Sequence, residues 1–339
     1  LTKIDSIANY AISKKMTPGI QVVVARKGKV IYQKSFGNHT YESTQKVNNT
    51  DVYDIASLTK IVATLPNVMQ EFDQGHLTLE TKLKTMLPEA KNSNKANATV
   101  LDMLTHQARF QPWIPFYKAT LDSLNRPSTH FYRSEFSDEF PVHVADKLYL
   151  RKNYNDTIVK TILDSELLPK KQYKYSDFTF ILFKEYLELH NKKSLEDLAH
   201  ANFFEPLGAN SIMYNPLRKM NANRIIPTEN DNYFRHQIVQ GYVHDMAAAM
   251  QGGISGHAGL FANALDVAKV MQMYLQKGSY GGRTYISENT FNTFNTCYFC
   301  KDGNRRGVGF DKPQLGNEGP TCGCVSLTSF GHTGFTGTM

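Results

Sequence analysis

No stretch of the 339 residues approaches 18 uninterrupted apolar positions, so the sequence holds no candidate membrane-spanning helix. It contains no recognisable signal peptide, internal repeat or low-complexity tract, and zinc-hydrolase signatures of the His-Glu-x-x-His kind are absent. The first residue is Leu1 rather than Met, as expected of a mature or excised chain. Charge is nearly balanced, with 38 Lys and Arg against 31 Asp and Glu, a formal +7. The positive residues are scattered, with short pairs at Lys170-Lys171, Lys192-Lys193 and Arg305-Arg306. No nucleic-acid motif accompanies them, so they read as a solvated basic surface.

The length suits one large domain or two interleaved lobes. Ile4, Ile7, Ala8, Ala11 and Ile12 recur at helical spacing and predict a helix over 4–14. Residues 20–25 and 30–35 read as two strands joined at Lys27-Gly28-Lys29. A second helix follows Ser57; it is apolar nearly all round in its first turns and therefore buried. Pro66 should bend it and Asp73-Gln74-Gly75 should stop it. From 98 to 275 strand signals are thin. Helical stretches occupy 100–105, 156–164, 177–190, 194–203 and 264–276, and β-type apolar runs return only near the C-terminal end. The pattern predicts an α/β lobe built from both chain ends, with a mainly helical lobe inserted between them.

The start of the buried helix reads Asp54-Ile55-Ala56-Ser57-Leu58-Thr59-Lys60. Three residues is about one helical turn, so Ser57 and Lys60 share a face. A serine hydroxyl needs something to take its proton. A lysine can do so if its pKa falls, and burial lowers it. The helix N-terminus adds free backbone N–H groups for an oxyanion. Alone, Ser-x-x-Lys is equally a helix cap beside a snorkelling lysine. Later elements give it weight. Tyr175-Ser176-Asp177 opens an apolar helical run, and His332-Thr333-Gly334 stands within Gly331–Thr338. Val100-Leu101-Asp102-Met103-Leu104-Thr105-His106 and the Gly-rich segment from Gly252 to Phe261 lie between.

In these elements and their order, the whole chain resembles the class C β-lactamase family, which includes D-alanyl-D-alanine peptidases and serine esterases. The resemblance implies one β-lactamase-like α/β domain over 1–339, an antiparallel sheet flanked by helices. Its α/β lobe would come from about 1–60 and 280–339, its helical lobe from about 61–279. It implies that Ser57 forms an acyl-enzyme while Lys60 and Tyr175 share the proton work, the tyrosine pKa being lowered by Lys60. Asp177, His332, Thr333 and Gly334 would face the substrate, the last three on a strand flanking the cleft. The backbone N–H of Phe335 would join that of Ser57 as oxyanion donor.

Two substitutions set the chain apart from the family pattern. Asp177 replaces an Asn, adding negative charge that favours protonated Lys60 and disfavours a carboxylated substrate nearby. His332 replaces a permanent cation and is neutral much of the time at pH 7; the His form resembles peptidases and esterases more than efficient β-lactamases. The family also continues with further strands and a C-terminal helix beyond the position of Met339, so missing sequence is expected.

Cys297, Cys300, Cys322 and Cys324 fall close together. They suit a structural zinc site, disulfides or free thiols, and in none of these readings are they catalytic. His244-Asp245 and His257 could form a Ser-His-Asp arrangement with Ser57, or simply hydrogen-bond within a Gly-rich turn. Trp113–Tyr117 is an aromatic loop, placed at the cleft mouth by the resemblance or else packed as an anchor.

The expected activity is hydrolysis of an amide or ester through a Ser57 acyl-enzyme, without a catalytic cofactor, with D-Ala-terminated cell-wall peptides as leading substrate. A β-lactamase, a small-ester esterase and a catalytically idle cell-wall-binding module are the alternatives. By resemblance the chain would be exported to a bacterial periplasm or surface, and relatives can be fused behind a glycoside hydrolase domain. The expected partner is a small-molecule or peptidoglycan-derived substrate, not nucleic acid.

Overall fold

The computed structural model describes residues 1–314 and 325–335. It opens with α1 (Thr2–Ser13), followed by β1 (Gly19–Arg26) and β2 (Lys29–Gly37). The two strands pair antiparallel about a two-residue turn. Lys27 and Gly28 both have positive φ, 52° and 74°, the backbone that matches the twist of a tight hairpin. The helix Ala264–Leu275 packs on β1, and Gln21 Oε1 accepts from the Ala264 N–H at 2.9 Å. That helix, expected in the helical lobe, therefore lies against the hairpin instead.

The start of the buried helix is set by a three-stranded sheet. β3 (Tyr53–Asp54) pairs with Leu260–Ala262, which also pairs with Met213–Tyr214. The pairing lays the start of the buried helix on the Gly-rich turn, and the Ile55 N–H donates to the Leu260 carbonyl at 3.0 Å. The helix begins as a 3₁₀ turn at Ala56–Leu58 and widens to a π turn over Lys60–Thr64. It becomes α-helical as α2 (Leu65–Asp73). Pro66 sits in the first turn of α2, where its missing N–H costs nothing. The bend expected at Pro66 thus takes the form of a wide turn just before it, in which the Leu65 N–H reaches the Lys60 carbonyl.

Predicted helices appear at Val100–Leu104, Tyr154–Asp164, Phe178–Asn191 and Leu195–Ala199. Phe178, Phe180, Ile181, Leu182 and Phe183 are all buried, and together with 61–69 they form the centre of the main core. Between 98 and 275 the structure also holds strands the sequence did not signal, such as Val142–Ala145 and Leu148–Leu150. They are two to four residues long, too short for alternation to show. The opposite correction applies at the C-terminal end. Among the described residues after 285 there is no strand, only an isolated bridge between Asp311 and Gly331. His332, Thr333 and Gly334 therefore have no ladder partner among the described residues and are not strand residues as expected. No helix among the described residues is long and apolar enough to cross a membrane.

Candidate active site

Ser57 follows a residue held in an unfavourable backbone. Ala56 has φ 46°, a left-handed conformation that alanine rarely adopts. The Asp54 carboxylate clamps it: Oδ1 accepts from the Ala56 N–H at 2.8 Å and Oδ2 from the His244 N–H at 2.7 Å. Burial raises the Asp54 pKa, and those two bonds act against the rise. The strain brings Ser57 to the wall of the cleft.

Ser57 Oγ is the focus of two donors. Lys60 Nζ lies 2.9 Å away and the Tyr175 hydroxyl 3.1 Å away. Lys60 is completely buried and also donates to the His257 carbonyl at 3.0 Å. Asp177 Oδ1 stands 2.7 Å from Nζ. That oxygen makes no well-directed hydrogen bond among the described residues, so the contact is an ion pair. The Tyr175–Asp177 segment is sewn to the loop 106–112. The Ser176 N–H donates to His106 Nδ1 (3.2 Å), Ser176 Oγ to the Gln111 carbonyl (2.6 Å) and the Asp177 N–H to the Pro112 carbonyl (3.0 Å). The His106 ring packs on Tyr175 with centroids 4.6 Å apart.

The protonation states differ from the sequence expectation. Burial pushes the Lys60 ammonium down, but Asp177 and then Tyr175 outweigh it, and the net direction is up. Burial also pushes the Tyr175 phenol up; Lys60 opposes this, Asp177 adds to it, and the net direction is again up. The resting site holds a charged Lys60 and a neutral Tyr175. For Lys60 the deciding group is the carboxylate of Asp177; for Tyr175 burial comes first and Asp177 adds to it, so the carboxylate favours the protonated form of both neighbours. Replacing it, Asp177→Asn, lowers both pKa values. The ascending limb of the kcat/KM–pH profile should then move to lower pH, raising activity at pH 7. A stationary limb, or one moved to higher pH, contradicts this assignment.

The site opens into a cleft of about 800 Å³. Trp113–Tyr117 line it, as do His332, Thr333, Gly334 and Phe335. The aromatic loop is thus at the cleft, and the Phe335 ring stacks on His244 at 4.8 Å. His332 is buried and its pKa falls well below the usual histidine value. Burial is the main cause, followed by the nearby charges of Arg306 and Lys60. Arg306 can only donate, so the 3.2 Å contact from its Nη2 makes His332 Nε2 an acceptor. The proton is therefore on Nδ1, which donates to the Thr333 carbonyl at 2.8 Å. Arg306 was missed in the sequence, where it reads only as half of a basic pair. In space Arg305 and Arg306 share the carboxylate of Asp311, at 2.8 and 3.2 Å, and both line the cleft.

His257 does not serve Ser57. Its Nδ1 meets Ser255 Oγ and its Nε2 meets Asp245 Oδ1, each at 2.8 Å. Burial pushes the Asp245 carboxyl up, yet His257 and the bond from the Ala248 N–H hold it well below the usual carboxylate range. The alternative of hydrogen bonding within the Gly-rich turn therefore describes His257. Cys297 and Cys300 are joined as a disulfide. A disulfide sulfur has no thiolate to give a metal, which corrects the four-cysteine zinc reading for this pair. Cys322 and Cys324 lie outside the described residues.

A sequence model of the Beta-lactamase family matches residues 8–339. The chain belongs to that family. It is similar to a protein of Bacillus subtilis (strain 168) named N-acetylmuramyl-L-alanine amidase. The two are 27% identical, over 100% of this chain and 77% of that protein. It is also 26% identical to a putative D-alanyl-D-alanine carboxypeptidase of Escherichia coli (strain K12), over 95% of this chain and 74% of the relative. Among solved structures it resembles the octameric penicillin-binding protein homologue from Pyrococcus abyssi, at 20% identity and a TM-score of 0.63. The match covers 88% of this chain and 60% of that one, a likeness of fold.

Proposed function

We propose that this chain is a serine hydrolase that cleaves an amide or ester through an acyl-enzyme on Ser57, with D-Ala-terminated cell-wall peptides as its substrates. The convergence of Lys60 and Tyr175 on one serine oxygen carries the reading. The two groups titrate as a unit, and the first proton lost from the pair creates the base. Ser57 then gives its proton to the pair as Oγ bonds to the substrate carbonyl carbon. The N–H groups of Ser57 and Phe335 would hold the oxyanion. On collapse the pair returns the proton to the leaving amine or alcohol. Water, deprotonated by the same pair, then releases the acid and restores Ser57. No cofactor enters any step.

Charge in the cleft supports this substrate class. His332 is neutral, so it cannot hold a terminal carboxylate by charge. Arg305 and Arg306, sharing one carboxylate, leave positive charge on the cleft wall to do so. Arg306→Gln should raise KM for a D-Ala-D-Ala peptide about 10-fold or more, as loss of a charge-assisted hydrogen bond does. Turnover of a neutral ester should be unchanged. Equal effects on both substrates would contradict the role. The names of the relatives support a cell-wall substrate and an exported protein, and the Cys297–Cys300 disulfide fits an oxidising compartment.

A further inference from the structure

Glu71, His76 and His190 converge away from the cleft. His76 Nδ1 lies 2.8 Å from Glu71 Oε2, His190 Nε2 lies 3.3 Å from the same oxygen, and the two nitrogens are 3.2 Å apart. We propose that these three side chains form a zinc site.

The triangle has the dimensions of one face of a zinc tetrahedron. Ligands about 2.0–2.1 Å from a tetrahedral zinc stand roughly 3.3 Å from one another. The electronic argument is independent of size. A neutral imidazole carries one ring proton, so the two rings bring at most two protons to three close contacts. The third contact is then left unbridged, with either two N–H groups or two lone pairs set against each other. A cation at the centre satisfies all three at once, and two imidazoles with one carboxylate are donors that zinc favours.

The backbone builds the site. Gly75, at φ 76°, ends α2 in a left-handed turn. The His76 N–H then reaches the Glu71 carbonyl at 2.9 Å and the Gly75 N–H the Phe72 carbonyl at 3.1 Å. This paired closure folds His76 back beside Glu71. His190 comes from the last turn of the helix Phe178–Asn191, its ring stacked on Tyr186. Asn191 Nδ2 donates to the other oxygen of Glu71 at 2.8 Å and fixes the carboxylate, as outer-shell partners of metal ligands do. Glu71 is buried, whereas the two rings are partly exposed, which leaves an approach and a fourth position for water. Both helices end here, and their negative dipole ends favour a cation.

The site lies at the far ends of the two helical segments whose near ends carry Ser57, Lys60 and Asp177. The 14-residue helix alone spans roughly 20 Å. Zinc would brace these helices against each other and take no part in the chemistry at Ser57.

The test is zinc titration of chelator-treated full-length protein against a chromophoric chelator, repeated with cobalt(II) for its visible spectrum. One equivalent should bind, and the melting temperature should rise with zinc. His76→Ala and His190→Ala should each weaken binding about 100-fold or more, and Asn191→Ala about 10-fold. Both rings are partly exposed, so the metal-free variants should melt as the metal-free parent does and label at Ser57 equally. Absence of stoichiometric binding overturns the proposal. So does tight binding that survives in the His76→Ala/His190→Ala double variant. A strong near-ultraviolet thiolate band with cobalt would place the metal on cysteine and overturn it as well.

Discussion

Lys60→Met is expected to lower kcat/KM on the order of 10⁴-fold, the scale on which members of a coupled catalytic unit fail. The side chain is wholly buried, and its ammonium touches Ser57, the His257 carbonyl and Asp177 at once. Methionine fills the volume but offers no proton. It also removes the charge and hydrogen bond by which Lys60 favours ionisation of the Tyr175 phenol. Tyr175 then ionises less readily and cannot substitute as the base near neutrality, and residual activity should rise only at higher pH. Asp177 loses its counter-charge but is partly exposed, so water can take over. Circular dichroism should therefore report a folded variant. Steady-state kinetics across pH make the check; a folded variant within about 10-fold of the parent would remove Lys60 from the proton path.

Tyr175→Phe should cost about 10²–10⁴-fold in kcat, the usual worth of a positioned acid–base group. The ring keeps its packing on His106 and its place beside the Lys60 ammonium, 5.2 Å from the ring centre. Only the hydroxyl 3.1 Å from Ser57 is lost. KM should stay near the parent value. The loss should be larger for an amide, whose leaving nitrogen needs a proton, than for an activated ester. Paired measurements on the two substrates test this, and an equal loss on both would assign Tyr175 to the attack step alone.

How much of this was legible in the sequence depends on the reach of each feature. Ser57 and Lys60 are one turn apart, so spacing alone places them together. The long helices announce themselves by period, and Gly75 marks the end of α2 correctly. Short strands such as Val142–Ala145 form because their neighbours pair with them, a long-range fact that a few residues cannot encode visibly. The left-handed turn at Ala56 was hidden for the same reason: alanine does not advertise it, and Asp54 with His244 imposes it. The direction of the Lys60 shift was half legible. Burial argued one way and Asp177 the other, and only the 2.7 Å separation decides between them. Arg306 became meaningful only when the fold set it against His332, and Glu71 met His190 across more than a hundred residues of chain.

The central claim is that Ser57 is the nucleophile. Intact-protein mass spectrometry after incubation with a fluorophosphonate and, separately, a fluorescent penicillin tests it most directly, on the parent and Ser57→Ala. The account predicts a single covalent adduct on the parent with at least one probe, and none on Ser57→Ala. A folded parent that neither probe labels, or an adduct of equal yield on Ser57→Ala, would contradict it.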